Sequence, residues 1–255
     1  MSIWSFIVAI LPVILIGLYI YKKDKIKESS NLLVKLFVFG VLSCFPAMIF
    51  GVILGNFFPE IEDMNFIQMF IYVFIVIALV EELCKWFFLY KISYNHSEFD
   101  SLYDMIVYAS FVALGFACFE NLLYVYSTGI VTGLVRAFSA VPGHVCDGIL
   151  MGSYLSLAKI NNLRGDNKLS KKYMLLSIII PMIAHGIYDF CLFWNEPIFI
   201  LIFLIFVLSL FVICFKKVKQ ISNNNIKFKY KNNYCINCGY PINSRFCPKC
   251  GRENN

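Results

Sequence analysis

The chain has 255 residues, of which 60% are hydrophobic, 17% aromatic and only 15% charged, with a mean hydropathy of +0.73. This composition excludes an ordinary soluble globular protein and indicates a polytopic membrane protein. The formal net charge of +6 is unevenly distributed, because the segment from Lys216 onward has nine basic residues and one acidic residue. The part of the chain before Lys216 is therefore slightly acidic.

Seven apolar runs are long enough to form the transmembrane helices of an all-α bundle, since a spanning helix needs about 20 residues. The runs cover residues 2-21, 33-57, 66-90, 103-126, 130-158, 173-193 and 197-215. The first run has no basic residue before it and no small-residue cleavage site, so we expect a retained helix rather than a signal peptide. Pro46, Pro142 and Pro181 are expected to break three of the helices locally. The predicted membrane domain covers residues 1–215.

Basic residues in the connecting loops predict the orientation of the bundle. Lysines and arginines occur between runs one and two, between runs five and six, and after run seven, whereas most of the alternate loops lack them. By the positive-inside rule, the N-terminus lies outside and the C-terminal tail is cytoplasmic in a plasma membrane. The basic linker at residues 216–233 is expected to contact anionic lipid headgroups, and no nucleic acid is expected as a partner.

Strongly polar side chains are few inside the apolar runs. An ionisable residue at mid-bilayer costs roughly 3 kcal/mol, so such residues normally face a polar interior. The set comprises Glu81, Glu82 and Lys85 in run three, Glu120 and Asn121 in run four, Arg136, His144 and Asp147 in run five, and His185 and Asp189 in run six. Residues four apart share a helical face, which pairs Glu81 with Lys85 and His185 with Asp189. We therefore expect a bundle that gathers carboxylates and histidines around one wet cavity.

The residue types in this set indicate hydrolytic chemistry. Two carboxylates and two histidines can activate a water molecule directly or hold a metal that does so. Asp189 is placed to fix the tautomer of His185, and Arg136 lies at the depth of Glu120. For each residue taken alone, a structural hydrogen bond or ion pair between helices is the alternative, which we prefer for Arg136, Asp147, Asn121 and Lys85.

Four short motifs on successive runs carry a resemblance to a known family. They are EExxK at 81–85, FxxxEN at 116–121, HxxxG at 144–148 and HxxxD at 185–189. Together they resemble the PrsW family of intramembrane proteases, which is related to the CAAX-protease and bacteriocin-processing superfamily, over roughly residues 40–195. The resemblance implies an endopeptidase that makes the first cut in a single-span membrane protein such as an anti-sigma factor.

The resemblance also assigns expected roles. Glu81 would activate water, His185 and Asp189 would sit at the scissile carbonyl, and Glu120 would stand where the wider superfamily often has a histidine. A metal remains open: Glu81, Glu120, His144 and His185 would suit zinc, whereas the wider superfamily points to a glutamate-based, metal-free mechanism. The candidate catalytic residues are Glu81, Glu82, Glu120, His144, His185 and Asp189, with Lys85, Asn121 and Arg136 in support.

Two rival functions use the same polar residues. A non-enzymatic membrane receptor or scaffold would keep the fold and recruit partners through its tail. An ion-coupled transporter would use the buried acids and histidines as a relay.

The C-terminal tail, residues 234–255, has two CxxCG sequences that begin at Cys235 and Cys247, with eight residues between Cys238 and Cys247. Four thiolates in two such turns form a closed tetrahedral zinc site, and so short a segment has too little core to fold without one. We therefore predict a small zinc ribbon with structural zinc held by Cys235, Cys238, Cys247 and Cys250.

Overall fold

The computed structural model describes residues 3–194, 196–224 and 249–252, and these residues form helices without any strand. The helices are α1 (Ile3–Lys23), α2 (Ser30–Gly55), a short 3-10 helix (Ile61–Asp63), α3 (Phe66–Ile71), a π-helical segment (Tyr72–Leu79), α4 (Val80–Ser93), α5 (Asp104–Thr128), α6 (Ile130–Phe138), α7 (Ala140–Leu163), α8 (Asn167–Trp194) and α9 (Pro197–Asn223). The zinc-ribbon prediction falls largely outside the described residues, since Cys235, Cys238 and Cys247 are not among them.

Six helical rods are long and apolar enough to cross a membrane: α1, α2, the continuous rod Phe66–Ser93, α5, α8 and α9. The rod Phe66–Ser93 comprises α3, the π-helical segment and α4. The prediction of an all-α polytopic membrane protein is therefore confirmed, with span boundaries close to those expected.

The prediction of a single helix for the fifth apolar run is wrong, because residues 130–158 do not form one helix. They form the nine-residue helix α6 and then α7, with a break at Ser139. Pro142 explains the break, since proline has no N–H to donate to the carbonyl of Phe138 and its ring would clash with that carbonyl. By contrast, Pro46 and Pro181 lie inside α2 and α8, which continue through them.

Helix α5 is the centre of the bundle and is the most buried of the six spans. Backbones approach it closely on two sides. A Cβ atom on Gly40 of α2 would lie 2.1 Å from the carbonyl oxygen of Val112, and one on Gly115 of α5 would lie 2.0 Å from that of Phe37. On the other side, Gly152 of α7 would meet the Met105 carbonyl at 2.3 Å. Small residues at helix crossings are how membrane helices gain close packing, and here they fix α2 and α7 against α5.

Three carboxyl groups are buried where the loop between α1 and α2 meets the start of α5. We call Asp24, Glu28 and Asp104 the loop cluster; each is at most 5% exposed. The Tyr108 hydroxyl donates a hydrogen bond to Glu28, and Asp104 Oδ2 accepts from the backbone N–H of Ser101 at 2.6 Å. Burial raises the pKa of Asp24 to about 6 and that of Glu28 to about 8.

The π-helical segment Tyr72–Leu79 lies immediately before the two glutamates of the third span. The ring of Phe74, in this segment, packs on Gly186 of α8, where an added Cβ would lie 2.5 Å from the ring. This contact holds the third span against α8. Because Glu81 and Glu82 follow the segment in the first turn of α4, the same contact sets their position relative to His185.

Candidate functional site

The candidate site lies inside the bundle, between α4, α5, α7 and α8. Each of the four sequence motifs contributes side chains to it, and the structure brings all six candidate catalytic residues together. A cavity of about 80 Å³ is lined by, among others, Glu81, Glu120, His144, His185 and Asp189. We use the name active-site cluster for the four carboxyl groups that line this cavity, together with the buried carboxyl group of Glu82: Glu81, Glu82, Glu120, Asp147 and Asp189.

Glu82 forms the floor of the site and is fully buried. Its Oε1 atom accepts a hydrogen bond from Lys85 Nζ at 2.7 Å and lies 2.9 Å from His185 Nδ1. The other oxygen, Oε2, has no hydrogen-bond partner among the described residues. Glu82 therefore joins α4 to α8 and orients the His185 ring, so that Nε2 of that ring points to the opposite side.

Glu81 occupies a different position from its neighbour Glu82, because it lines the cavity and its side chain is 18% exposed. Its Oε2 atom lies 3.6 Å from Lys85 Nζ and 3.8 Å from His185 Nε2, beyond hydrogen-bond distance from both. The carboxylate of Glu81 is thus near two cationic or donor groups but is hydrogen-bonded to neither. Of the two adjacent glutamates, Glu81 is the one that a small molecule in the cavity can reach.

Glu120 links α5 to the two helices that follow it. Its Oε2 atom accepts from Arg136 Nη2 at 2.7 Å and lies 2.8 Å from His144 Nε2. Arg136 also donates from Nε to Asn121 Oδ1 at 3.2 Å and lies 3.9 Å over the ring of Tyr124. The expected pairing of Arg136 with Glu120 is therefore present, and the break before α7 leaves Arg136 on a short helix of its own.

His144 stands between the two halves of the site. Its Nδ1 atom lies 3.2 Å from Lys85 Nζ, while Nε2 faces Glu120. The rings of His144 and His185 are 5.2 Å apart and nearly perpendicular. Asp189 Oδ2 lies 3.2 Å from His185 Nε2, as expected from their spacing of one helical turn.

The remaining predicted residues have structural contacts. Asn121 donates a hydrogen bond to the Ala9 carbonyl of α1 at 3.1 Å, in addition to its contact with Arg136. Asp147 was expected only to make a structural contact between helices, but the structure places its carboxylate among the ligand-type atoms of the site. Its Oδ1 atom is buried without a hydrogen-bond partner in the described part of the chain.

Aromatic residues of the site were not predicted as such. The Phe116 ring lies 4.0 Å below Lys85 Nζ, and Tyr124 and Tyr188 line the cavity. The motif FxxxEN contains the signal for Phe116, because residues four apart share a helical face with Glu120. Nothing in the sequence distinguishes Tyr124 or Tyr188 from the many aromatic residues that face lipid.

Two groups of side chains have donor atoms close enough to hold one metal ion. Glu82, His144, Asp147 and His185 form one group, Glu81, Glu120 and His144 form the other, and within each group the donor atoms lie within 4.8 Å of one another. The first group fits a metal by its donor chemistry, because two imidazoles and two carboxylates are usual zinc ligands. Glu82 Oε2 and Asp147 Oδ1 supply two oxygens that have no hydrogen-bond partner among the described residues. The set expected from sequence, with Glu81, Glu120, His144 and His185, is divided between the two groups.

The net charge of the active-site cluster also favours a bound cation or bound protons. Five carboxyl groups in the active-site cluster face two permanent cations, Lys85 and Arg136. The excess negative charge must be balanced by protons on carboxyl groups or imidazoles, or by a bound cation. A site of this composition is suited to proton transfer and to metal binding.

The fold and the site together define a polytopic helical membrane protein with a carboxylate–histidine centre enclosed in its bundle. A sequence profile described as PrsW family intramembrane metalloprotease matches residues 28–214. The chain belongs to the PrsW family, and it is an intramembrane protease.

Curated relatives support this assignment over most of their length. The chain is 38% identical to Protease PrsW of Oceanobacillus iheyensis over 217 residues, which cover 85% of this chain and 95% of the relative. It is 36% identical to Protease PrsW of Bacillus subtilis, with 72% and 80% covered, and 30% identical to that of Clostridioides difficile, with 91% and 97% covered. No solved structure gives a significant match.

Proposed function

We propose that this protease cleaves a single-span membrane protein, of the anti-sigma-factor kind, by attack of a water molecule that Glu81 activates. The observation that carries the proposal is the contrast between the two adjacent glutamates. Glu82 is fully buried and bonded to Lys85 and His185, whereas Glu81 lines the cavity, is 18% exposed and lies beyond hydrogen-bond distance of both groups. A general base must be able to reach its water, and Glu81 is placed for that role.

In the proposed reaction, Glu81 accepts a proton from water as the oxygen attacks the carbonyl carbon of the scissile peptide bond. His185 Nε2 is directed into the site by the contact of Nδ1 with Glu82, and its proton turns from Asp189 to the carbonyl oxygen as negative charge develops there. When the C–N bond breaks, Glu81 returns the proton to the leaving nitrogen. Asp189 stabilises the charge on His185 during this sequence.

Lys85 acts as a positioning residue in this proposal. It bonds Glu82 and His144 and lies near Glu81, so one ammonium group sets three side chains from two helices. Arg136 has the same relation to Glu120, which in turn orients His144. Loss of either cation would leave a carboxylate in a low-dielectric site without its partner.

The family description names metalloproteases. In a metal-dependent form of the reaction, Glu82, His144, Asp147 and His185 would hold a divalent metal, whose chemistry is to polarise a bound water or carbonyl; His185 would then be a neutral ligand and not the donor to the carbonyl oxygen. Metal content can be measured without an activity assay. If the membrane site holds a metal, elemental analysis should find it in a variant with the tail cysteines replaced by serine and should not find it after His185→Gln in that background; an active, metal-free variant would leave water activation to Glu81.

Cleavage itself is tested with the purified protein and a tagged single-span substrate in proteoliposomes. We expect Glu81→Ala and His185→Ala to reduce the cleavage rate by at least 100-fold, with unfolding temperatures close to that of the parent protein. Wild-type cleavage rates in both variants would contradict the proposal and favour the receptor or transporter alternatives.

The topology and the tail complete the proposal. The N-terminus lies outside, the C-terminal tail is cytoplasmic, and the basic linker at 216–233 contacts anionic lipids. Cys235, Cys238, Cys247 and Cys250 hold one structural zinc that folds the tail. Zinc stoichiometry of the intact chain should fall by one equivalent in the variant with four serines.

A further inference from the structure

A second cavity, distinct in shape from the enclosed site, opens from the active-site cluster towards the membrane-facing side of the bundle. This lateral groove has a volume of about 390 Å³ and lies between α2, the π-helical segment and α5. Its lining includes Ala47, Met48, Gly51 and Val52 of α2 and Leu123 and Tyr124 of α5. Glu81 and Glu120 lie in both cavities, so the groove is continuous with the site.

The walls of the lateral groove are apolar and uncovered. Met48, Val52, Leu123 and Tyr124 are between 39% and 67% exposed in the described part of the chain. Two further grooves on the bundle, of about 270 and 340 Å³, are also apolar, but neither is lined by an acidic residue or a histidine. The lateral groove alone among these three combines a lipid-compatible wall with the carboxylate that the proposed reaction needs.

We infer that the lateral groove is the docking surface for the transmembrane segment of the substrate, which reaches Glu81 from the bilayer between α2 and α5. The inference rests on the proposed function. A substrate segment that enters from lipid keeps its apolar side chains on apolar walls throughout, and only its scissile bond meets polar groups. Continuity with Glu81 selects a peptide as the occupant, since an acyl chain would gain nothing from two carboxylates at the end of the groove.

The local structure of both walls suits a peptide chain. Ala47 and Gly51 are four residues apart on α2, and small residues at this spacing allow another backbone to approach closely. A Cβ atom on Gly51 would have no heavy atom within 4 Å, so the space in front of it is open. On the opposite side, Val76 and Ile77 belong to the π-helical segment, a conformation that occurs frequently at functional sites.

The open space at Gly51 gives a direct test. Gly51→Trp places an indole in the groove from a position whose Cβ would meet no heavy atom within 4 Å, and Ile53→Trp is the matched control, because Ile53 is 51% exposed on the same helix and does not line the groove. We expect Gly51→Trp to lower kcat/KM for the single-span substrate at least ten-fold in proteoliposomes, and Ile53→Trp to change it less than two-fold. Equal rates in the two variants would overturn the inference.

A second measurement does not depend on catalysis. A photo-crosslinking amino acid is placed at Met48 or at Ile53 in the inactive Glu81→Gln background. A crosslink to the substrate from position 48 and none from position 53 is the expected result. Crosslinks from position 53 alone, or lipid adducts alone at position 48, would overturn docking at the groove.

The cleavage assay and the crosslinking measurement together separate this inference from the proposed function. If the wild-type protein fails to cleave the substrate while position 48 still crosslinks to it, the docking surface stands and the proposed chemistry fails. If the wild-type protein cleaves and position 48 gives no substrate adduct, the chemistry stands and the groove is not the route.

Discussion

Two buried groups of carboxyl side chains lie along α5, about 18 Å apart if Tyr108 and Glu120 are taken as their positions on the helix. The loop cluster lies where α5 begins, and the active-site cluster lies towards its other end. Both are enclosed by apolar helices, yet they differ in the groups that compensate them. The active-site cluster is paired with Lys85, Arg136, His144 and His185.

The loop cluster is compensated differently. Hydroxyl and backbone N–H groups serve Glu28, Asp24 and Asp104, and none of the three has a Lys or Arg nitrogen within 4.0 Å among the described residues. Carboxyl groups served only by neutral donors are favoured in their protonated form when buried. Burial together with charged partners and an opening to a cavity therefore distinguishes a reactive group from a structural one.

The largest effect on stability and cleavage should follow from removing Lys85, the buried cation of the active-site cluster. Lys85→Met leaves Glu82 as a buried carboxylate without its ion-pair partner, which typically costs about 3 kcal/mol or more. We expect a lower unfolding temperature in detergent and cleavage at background level. The double variant Glu82→Gln/Lys85→Met should recover stability without recovering cleavage, and a single variant as stable as the wild type would contradict the assigned ion pair.

A smaller effect is expected at the edge of the same cluster. Arg136→Gln removes the contacts with Glu120, Asn121 and the Tyr124 ring together, and we expect the cleavage rate to fall about ten-fold, or roughly 1.4 kcal/mol in transition-state free energy. Arg136→Lys should give an intermediate rate, because an ammonium lacks the planar fork that makes these contacts at once. An unchanged rate in both variants would show that Glu120 needs no cation.

The smallest effect concerns the loop cluster and is a dependence of stability on pH. Burial raises the pKa of Glu28 from 4.5 to about 8, against the opposing hydrogen bond from Tyr108, with a further increase from Asp104. The folded chain therefore keeps a proton that the unfolded chain releases, so this contribution to stability is present at low pH and is lost as pH rises from about 4.5 to about 8.

Glu28→Gln should remove this part of the pH dependence. We expect the fall in unfolding temperature between pH 6 and pH 9 to be smaller in the variant than in the wild type, by about 3 °C. Glu62→Gln is the matched control, because Glu62 is exposed in the 3-10 helix and its replacement should leave the fall unchanged. The same fall in all three proteins would mean that Glu28 is not protonated in the folded chain.

Much of the site was predictable because charge in an apolar run is so costly that its position is informative. Glu81, Glu120, His144 and His185 were expected to meet, and they do. Their partners within one turn, such as Lys85 and Asp189, followed from helical periodicity alone. Which of two adjacent glutamates faces the cavity depends on the rotation of α4, and periodicity gives no reference for that rotation.

Other features depend on contacts that no local pattern encodes. The split of the fifth span follows from Pro142, yet Pro46 and Pro181 are accommodated within continuous helices. The loop cluster was missed because Asp24 and Glu28 stand among lysines in a short connection, as solvated loop residues usually do. Their burial is set by the packing of that connection against α5, which the sequence around them does not reveal.

The central claim is that the active-site cluster performs the chemistry and the loop cluster does not, and one paired substitution tests it. Glu81→Gln and Glu28→Gln make the same chemical change in the two clusters, and the cleavage rate of a single-span substrate is measured for each in proteoliposomes. A loss of at least 100-fold in Glu81→Gln, with Glu28→Gln within two-fold of the wild type, is the predicted result. Cleavage by Glu81→Gln at the wild-type rate would contradict it.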